Sequence, residues 1–399
     1  MKGRCVLTLH LLRGIAVVLL PLSFAFLSPV SSVQAKSTKK KKQAIILPAK
    51  YLIARRGGAA YYKAKEYYEA ERLFLDALKI IESEKNGFEE HVRVLLDLSA
   101  TYSQLNRVSD AQRRSAEAIA LVRKKYGSNS SQLPALLSYD ANLYPTKSAI
   151  RETRLKEALK ISEDLVGRDN PSLLHLLGHL HSIYLGTAAG IPYGKRVYEM
   201  RSKIPSWKTN SNSFNNAIYL ALDYMDAGDF KTAEALAEEA EKLVSHTSGK
   251  GSSQALWTKG ITGICYEKLG KKELAQKKLK ECVDGFKKVE AYDEHYWNMH
   301  RQTANCLLQY DMPEPALAIA LDTVKTVKAS PEVQDPLVLL PTQLIAINAA
   351  CRSGNKQMAE KLFSVYQNDV RKLYKDEKTQ EQQLKIARSF FAPKATSGS

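Results

Sequence analysis

The feature that most restricts how this chain can fold is a unit that recurs about every 42 residues. The run from Gly58 to Ala77 sets the template: a small residue, Tyr61 three positions later, Ala70 nine after that and Ala77 seven further on. Tyr102, Ala111 and Ala118 repeat the spacing, and so do Tyr224, Ala233 and Ala240. Tyr266, Ala275 and Cys282 follow, with a small cysteine in the last place. Leu307, Ala316 and Thr323, then Ala350, Ala359 and Tyr366, keep the phase with altered residues. The stretch between Ala111 and Ala233 is close to three periods long, so it holds two degenerate units, centred on Ala141–Ala158 and His181–Met200. About eight units result. Self-similarity at such a period marks stacked supersecondary units, each of which needs its neighbours to bury an apolar face.

The spacing has a physical cause. Two antiparallel helices approach closely only where small side chains face each other. The leading Ala opens a second helix against the small residue of the first, which is Gly58, Ser99, Ala221, Gly263 or Ala304. The second Ala, two turns on, lets the next unit approach. Five residues before the leading Ala stand Asn106, Gly228, Gly270 and Gly354. Asn and Gly are the residues that tolerate the left-handed conformation ending a helix. The chain is therefore predicted to be all-α, built of helix–turn–helix units.

This pattern resembles the tetratricopeptide repeat family, whose signature runs W-x2-L-G-x2-Y…A-x3-F…P. The match is best in residues 51–80, 92–121, 216–243 and 256–283, and the long period is similar to the kinesin-light-chain-like subgroup. The resemblance covers about residues 50–370 and implies a right-handed superhelical α-solenoid. The chain departs from the family in lacking the first-helix Trp, and in carrying Pro145 and the Gly190-Ile-Pro192-Tyr-Gly194 break. Residues 371–394 are polar with a helical phase that groups Leu384, Ile386, Phe390 and Phe391, as a capping helix requires. Residues 395–399 are expected to be a disordered tail.

The N-terminus reads as a secretory signal over residues 1–35. Lys2, Arg4 and Arg13 accompany an apolar run from Ile15 to Leu27, and a small-residue site follows at Val33-Gln34-Ala35. The run falls short of the roughly 20 residues that span a bilayer. Cleavage after Ala35 removes three basic residues and takes the formal charge from +17 to +14. Residues 36–49 form a basic arm with Lys39, Lys40, Lys41 and Lys42, suited to contact with an anionic polymer or lipid surface. The lysines of the 271–280 stretch are interrupted by Leu274, Ala275 and Leu279, which is the pattern of a solvated helix face. Nucleic-acid recognition would want interleaved aromatics, and none is expected.

Catalytic chemistry finds no footing in the sequence. There is no G-x-S-x-G, Walker or G-x-G-x-x-G motif. His175, His179 and His181 place two imidazoles four residues apart, but no further ligand stands at a spacing that completes a zinc shell. No cofactor or metal is expected. Cys265, Cys282, Cys306 and Cys351 lack C-x-x-C spacing. Packing is their default role, with a Cys282–Cys306 disulfide between neighbouring units left open by an exported location.

Function is therefore expected to be binding of a protein or peptide partner. The resemblance implies that first helices line the concave surface. Carried over by phase, the residues on it are Arg55, Tyr62 and Lys63, then Arg93 and Gln104, then Trp257 and Glu267, then Arg301, Asn305 and Gln309, then Asn348 and Arg352. Leu222, Met225 and Ile264 lie between them. Trp257 and Arg301 stand out as residue types over-represented at binding hot spots. Asn129-Ser130-Ser131 is a glycosylation sequon.

Overall fold

The computed structural model describes residues 47–84, 87–210, 213–288, 294–329 and 336–391. The leader, the Lys39–Lys42 arm and the 395–399 tail lie outside the described residues. Among the described residues the regular structure is helical throughout, and the helices pair in chain order. α1 (Ala49–Lys63) pairs with α2 (Tyr67–Glu82), and α3 (Phe88–Gln104) with α4 (Val108–Tyr126). Then come α5 (Leu133–Asn142) with α6 (Ala149–Val166), and α7 (Leu174–Tyr184) with α8 (Ile191–Ser202). α9 (Ser213–Asp226) pairs with α10 (Phe230–Thr247), and α11 (Ser253–Lys268) with α12 (Lys272–Phe286). α13 (Glu294–Gln309) pairs with α14 (Pro313–Ala329), and α15 (Pro336–Arg352) with α16 (Lys356–Leu373); α17 (Glu377–Arg388) follows. The eight helix pairs match the eight units read from the repeat.

One turn closes six of the eight pairs. Lys65, Asn106, Gly228, Gly270, Asp311 and Gly354 all have φ between 58° and 81°. Each lies five residues before its leading Ala. The following amide then donates back to the template's Tyr position: Glu66 to the Tyr61 carbonyl at 2.9 Å, Arg107 to Tyr102 at 2.8 Å, Lys271 to Tyr266 at 2.9 Å. Met312 reaches Leu307 and Asn355 reaches Ala350 in the same way. This is the hydrogen-bond closure of a helix ending in the left-handed conformation. Lys65 and Asp311 adopt it although each carries a Cβ, so phase rather than residue type fixes the turn.

The alanines explain the rest of the spacing. Ala70, Ala111, Ala233, Ala275, Ala316 and Ala359 are all fully buried, as are Ala77, Ala118, Ala240, Cys282, Thr323 and Tyr366 in the second place. Opposite them the helices touch: a Cβ on Gly58 would sit 2.7 Å from the Phe74 ring, and one on Gly263 2.9 Å from Leu279.

The chain divides into two compact units, one of residues 47–185 with 192–200, the other of 186–191 with 201–391. The first has one continuous core that runs from Tyr51 through Leu98, Leu137 and Leu155 to Val197. In the second, α11 is buried on nearly every side from Ala255 to Tyr266, as a helix packed by neighbours all round must be. There too α17 sets Leu384 and Ala387 against Tyr366 and Val370. Ile386, about 200° round α17 from Leu384, is turned outward.

The Gly190-Ile-Pro192-Tyr-Gly194 sequence does not break the helical pattern. α8 runs through it from Ile191, and Pro192 stands in its first turn, where a missing N–H leaves nothing unsatisfied. Gly194 is present because His181 lies against it, with His181 Nε2 2.7 Å from where a Cβ would be.

Candidate partner-binding face

The first helices carry the residues assigned to the concave surface, and their fates differ. In the first unit Arg55 donates to Asp97 at 2.9 Å, with Glu90 4.0 Å away. Arg93 pairs with the same Glu90, which also accepts from the Tyr51 hydroxyl at 2.6 Å. Tyr62 is half-buried, edge-on to Tyr67 at 5.4 Å. Lys63 and Gln104 are exposed at the ends of α1 and α3. In the second unit Arg352 donates to the Leu308 carbonyl and to Asp311 at 2.6 Å, tying α15 to the end of α13. Arg301 is half-buried and donates to Asn298 at 2.8 Å.

Trp257 must be reassigned. It is 2% exposed and packs on Tyr219 with ring centroids 5.7 Å apart. Ile264 and Met225 are likewise core, at 0% and 2% exposure. α11 is enclosed from several sides, so a position that faces solvent in an end repeat faces protein here. The arginines are corrected in a different sense: Arg55, Arg93 and Arg352 are engaged by carboxylates, so they join helices of neighbouring repeats or, for Arg93, brace a single helix.

What remains available is polar and uncharged, apart from Lys63 and Glu267. Asn305 and Gln309 are exposed on successive turns of α13, and Asn348 is half-exposed on α15 in the phase of Asn305. None of the three carboxamides makes a hydrogen bond among the described residues. Each presents both a donor and an acceptor, the complement of a peptide backbone.

Asp97 and His300 are among the titratable groups buried within the helix packing. Burial pushes the Asp97 carboxyl up to about 6, against the pull of Arg55. Burial holds the His300 imidazole down, to about 3. The Thr323 hydroxyl donates to the Ile319 carbonyl at 2.8 Å, so its oxygen accepts from His300 Nδ1 at 3.0 Å. That fixes the Nδ1–H tautomer. Neither group was singled out by the repeat. The signal for Asp97 was an acid inside the apolar run Val92–Leu98.

The four cysteines of the described residues are free thiols. Cys282 lies against Gly260 of its own helix pair, its sulfur 3.3 Å from where a Cβ would stand, so it does not bridge to Cys306. Burial raises the Cys265, Cys282 and Cys306 thiols to about 12, which keeps them protonated and inert. His181 is spent on packing, and no group of three metal-ligating side chains occurs among the described residues.

No protein-family model and no curated protein sequence matches the chain. Solved structures do. The apo form of RapI is 12% identical, with 86% of this chain and 95% of that one aligned at a TM-score of 0.46. A tetratricopeptide repeat protein from Parabacteroides merdae is 11% identical over 86% of this chain and 100% of its own, at 0.39. Tetratricopeptide-like repeats of a putative kinesin light chain from Podosopora anserina are 16% identical over 60% of this chain and 97% of theirs, at 0.26. The repeat architecture described above rests on the chain's own helix pairs and turn phase.

Proposed function

We propose that this protein is an interaction scaffold that holds an extended segment of a partner protein along α13 and α15. The observation that carries the reading is the row of unengaged carboxamides at Asn305, Gln309 and Asn348. A partner chain laid across them would exchange backbone hydrogen bonds with side chains that fold stability does not already use. Binding rather than catalysis fits the shifted Asp97 and His300, which are enclosed in helix packing. The experiment is affinity capture with the wild-type chain beside Asn305→Ala/Gln309→Ala/Asn348→Ala, with Lys277→Ala/Lys280→Ala on α12 as control. A protein retained by the control and lost from the triple variant supports the assignment. One retained equally by all three refutes it.

Export belongs to the same proposal. The apolar run at 15–27 and the site ending at Ala35 support a cleaved leader, and the mature N-terminus at Lys36 is checked by N-terminal sequencing of the exported chain. The Lys39–Lys42 arm would then add a salt-sensitive contact with anionic surfaces. Deleting residues 36–42 should abolish any vesicle association that falls with salt and leave partner capture intact.

A further inference from the structure

Half-buried arginines in the first unit are paired almost without exception. Arg55, Arg93, Arg114, Arg123, Arg154 and Arg196 each reach a carboxylate. Arg151, in the first turn of α6, reaches none among the described residues. Its Nη1 donates to the Tyr144 carbonyl at 3.2 Å, and its Nε is buried with no partner. The acid beside it, Glu152, is taken by Lys156 at 2.6 Å and by the Tyr184 hydroxyl. A cation withdrawn from water calls for a countercharge. A water molecule would satisfy the hydrogen bond and leave the charge unmatched.

A second unsatisfied group lies on the adjoining helix, within reach of the Arg151 charge. α7 packs on α6, and His179 of α7 has a buried Nδ1 without a partner. The exposed His175 ring lies 6.4 Å from that of His179, and its Nδ1 is 3.0 Å from the Ser172 carbonyl. The Nε2 atom of His175 is thereby left for an outside group. Burial first, then the Arg151 charge, then His175, hold His179 below the usual imidazole range. A metal cation at this place would meet the guanidinium charge; an anion would be drawn by it.

We propose that Arg151, His179 and His175 form a binding site for a compact oxyanion, a carboxylate or phosphate group, independent of the carboxamide row on α13 and α15. The oxyanion accepts from the Arg151 guanidinium, from His179 and from His175 Nε2, each imidazole taking up a proton as the anion enters. Binding therefore strengthens as pH falls through the imidazole range. Of the other titratable and charged groups packed there, Glu152, Lys156 and Tyr184 are mutually bonded. Burial holds the Tyr144 phenol above its ordinary value, so it stays neutral in this range.

The test is a titration of the full chain, its histidine rings isotope-labelled, with inorganic phosphate and separately with acetate at constant ionic strength. The His179 ring resonances are followed at about pH 6 and about pH 8. Saturable shifts, tighter at the lower pH and weakened about tenfold or more in Arg151→Gln, are expected. Saturation by acetate as well as phosphate assigns the site to oxyanions generally, and by phosphate alone to tetrahedral ones. Shifts that do not saturate, or that are the same in Arg151→Gln, overturn the proposal. Should Arg151→Gln fail to fold, His175→Gln keeps the test open, because His175 is exposed and its loss must weaken the same titration.

Discussion

Lys65 holds a left-handed conformation, with φ of 64°, at a turn where three of the equivalent positions carry glycine. Keeping an L-residue there costs about 1–2 kcal/mol. Glycine escapes that cost but loses about 0.5–1 kcal/mol more backbone entropy on folding. Lys65→Gly should therefore stabilise the first unit by about 0.5–1 kcal/mol. The Lys65 side chain is exposed and forms no ion pair among the described residues, so no contact is forfeited. The closing hydrogen bonds to Tyr62 at 3.0 Å and Tyr61 at 2.9 Å come from backbone and survive the change. Ala60→Gly, five residues earlier on the exposed side of α1, introduces the same residue into ordinary helix and should cost about 0.5–1 kcal/mol. With a urea dependence of about 2 kcal/mol per molar, the two midpoints move about 0.3–0.5 M in opposite directions. Urea titration followed by far-ultraviolet circular dichroism reads both. If Lys65→Gly lowers the midpoint as Ala60→Gly does, Lys65 is not left-handed in solution and the six-turn phase loses its physical basis.

Asp97 titrates near 6 folded and near 4 unfolded, so between those values the folded state holds the extra proton. The stability this group contributes is full below about pH 4 and is lost as pH rises through 6, at most about 3 kcal/mol. Urea midpoints of wild type and Asp97→Asn should converge at acid pH relative to neutral pH, and parallel pH profiles would remove the claim. His300 works the other way, neutral when folded. Its contribution is full above about pH 6.5 and is lost as pH falls towards 3, by roughly 4–5 kcal/mol at the limit. The chain's three tryptophans, Trp207, Trp257 and Trp297, all lie in the second unit, so their fluorescence reports this loss, and His300→Gln should flatten it. Trp257→Ala should cost about 3–5 kcal/mol as a core truncation, seen as a lowered fluorescence-independent melting midpoint. A variant that melts like wild type and only loses a partner would put Trp257 back on the surface.

The architecture was legible because the repeat writes down contacts that recur. Ala70, Ala111 and their counterparts have to be small for two helices to meet, and that requirement leaves the same letter at the same phase each time. The turn was half legible: Asn106, Gly228, Gly270 and Gly354 announce a left-handed residue, whereas Lys65 and Asp311 satisfy it silently, since a cost of 1–2 kcal/mol does not forbid a side chain. The Gly190–Gly194 sequence marks a helix start rather than an interruption, for a related reason. Proline and glycine do interrupt a helix interior, but a proline in the first turn and a glycine under an imidazole are both compatible with one, and only the position of the helix start decides between them.

The binding face was the hardest to read, and the reason is general to stacked repeats. Phase reports the direction in which a side chain leaves its helix; it does not report whether something else has already claimed that side chain. Arg55 and Arg352 are each taken by an acid about one period away, Asp97 in one case and Asp311 in the other. A charged residue on a first helix can reach an acid of a neighbouring repeat, as Arg55 and Arg352 do, so charge is the property most easily consumed within the stack. Asn305, Gln309 and Asn348 stay available because a carboxamide gains little from a neighbour that water does not already supply. Trp257 errs in the opposite direction, since the same aromatic area that makes a tryptophan a hot spot at an interface is buried by the repeats themselves when its helix lies inside the stack. A face inferred from phase alone should therefore be weighted towards uncharged polar residues, and an arginine on it should be counted only when no acid within the stack has taken it.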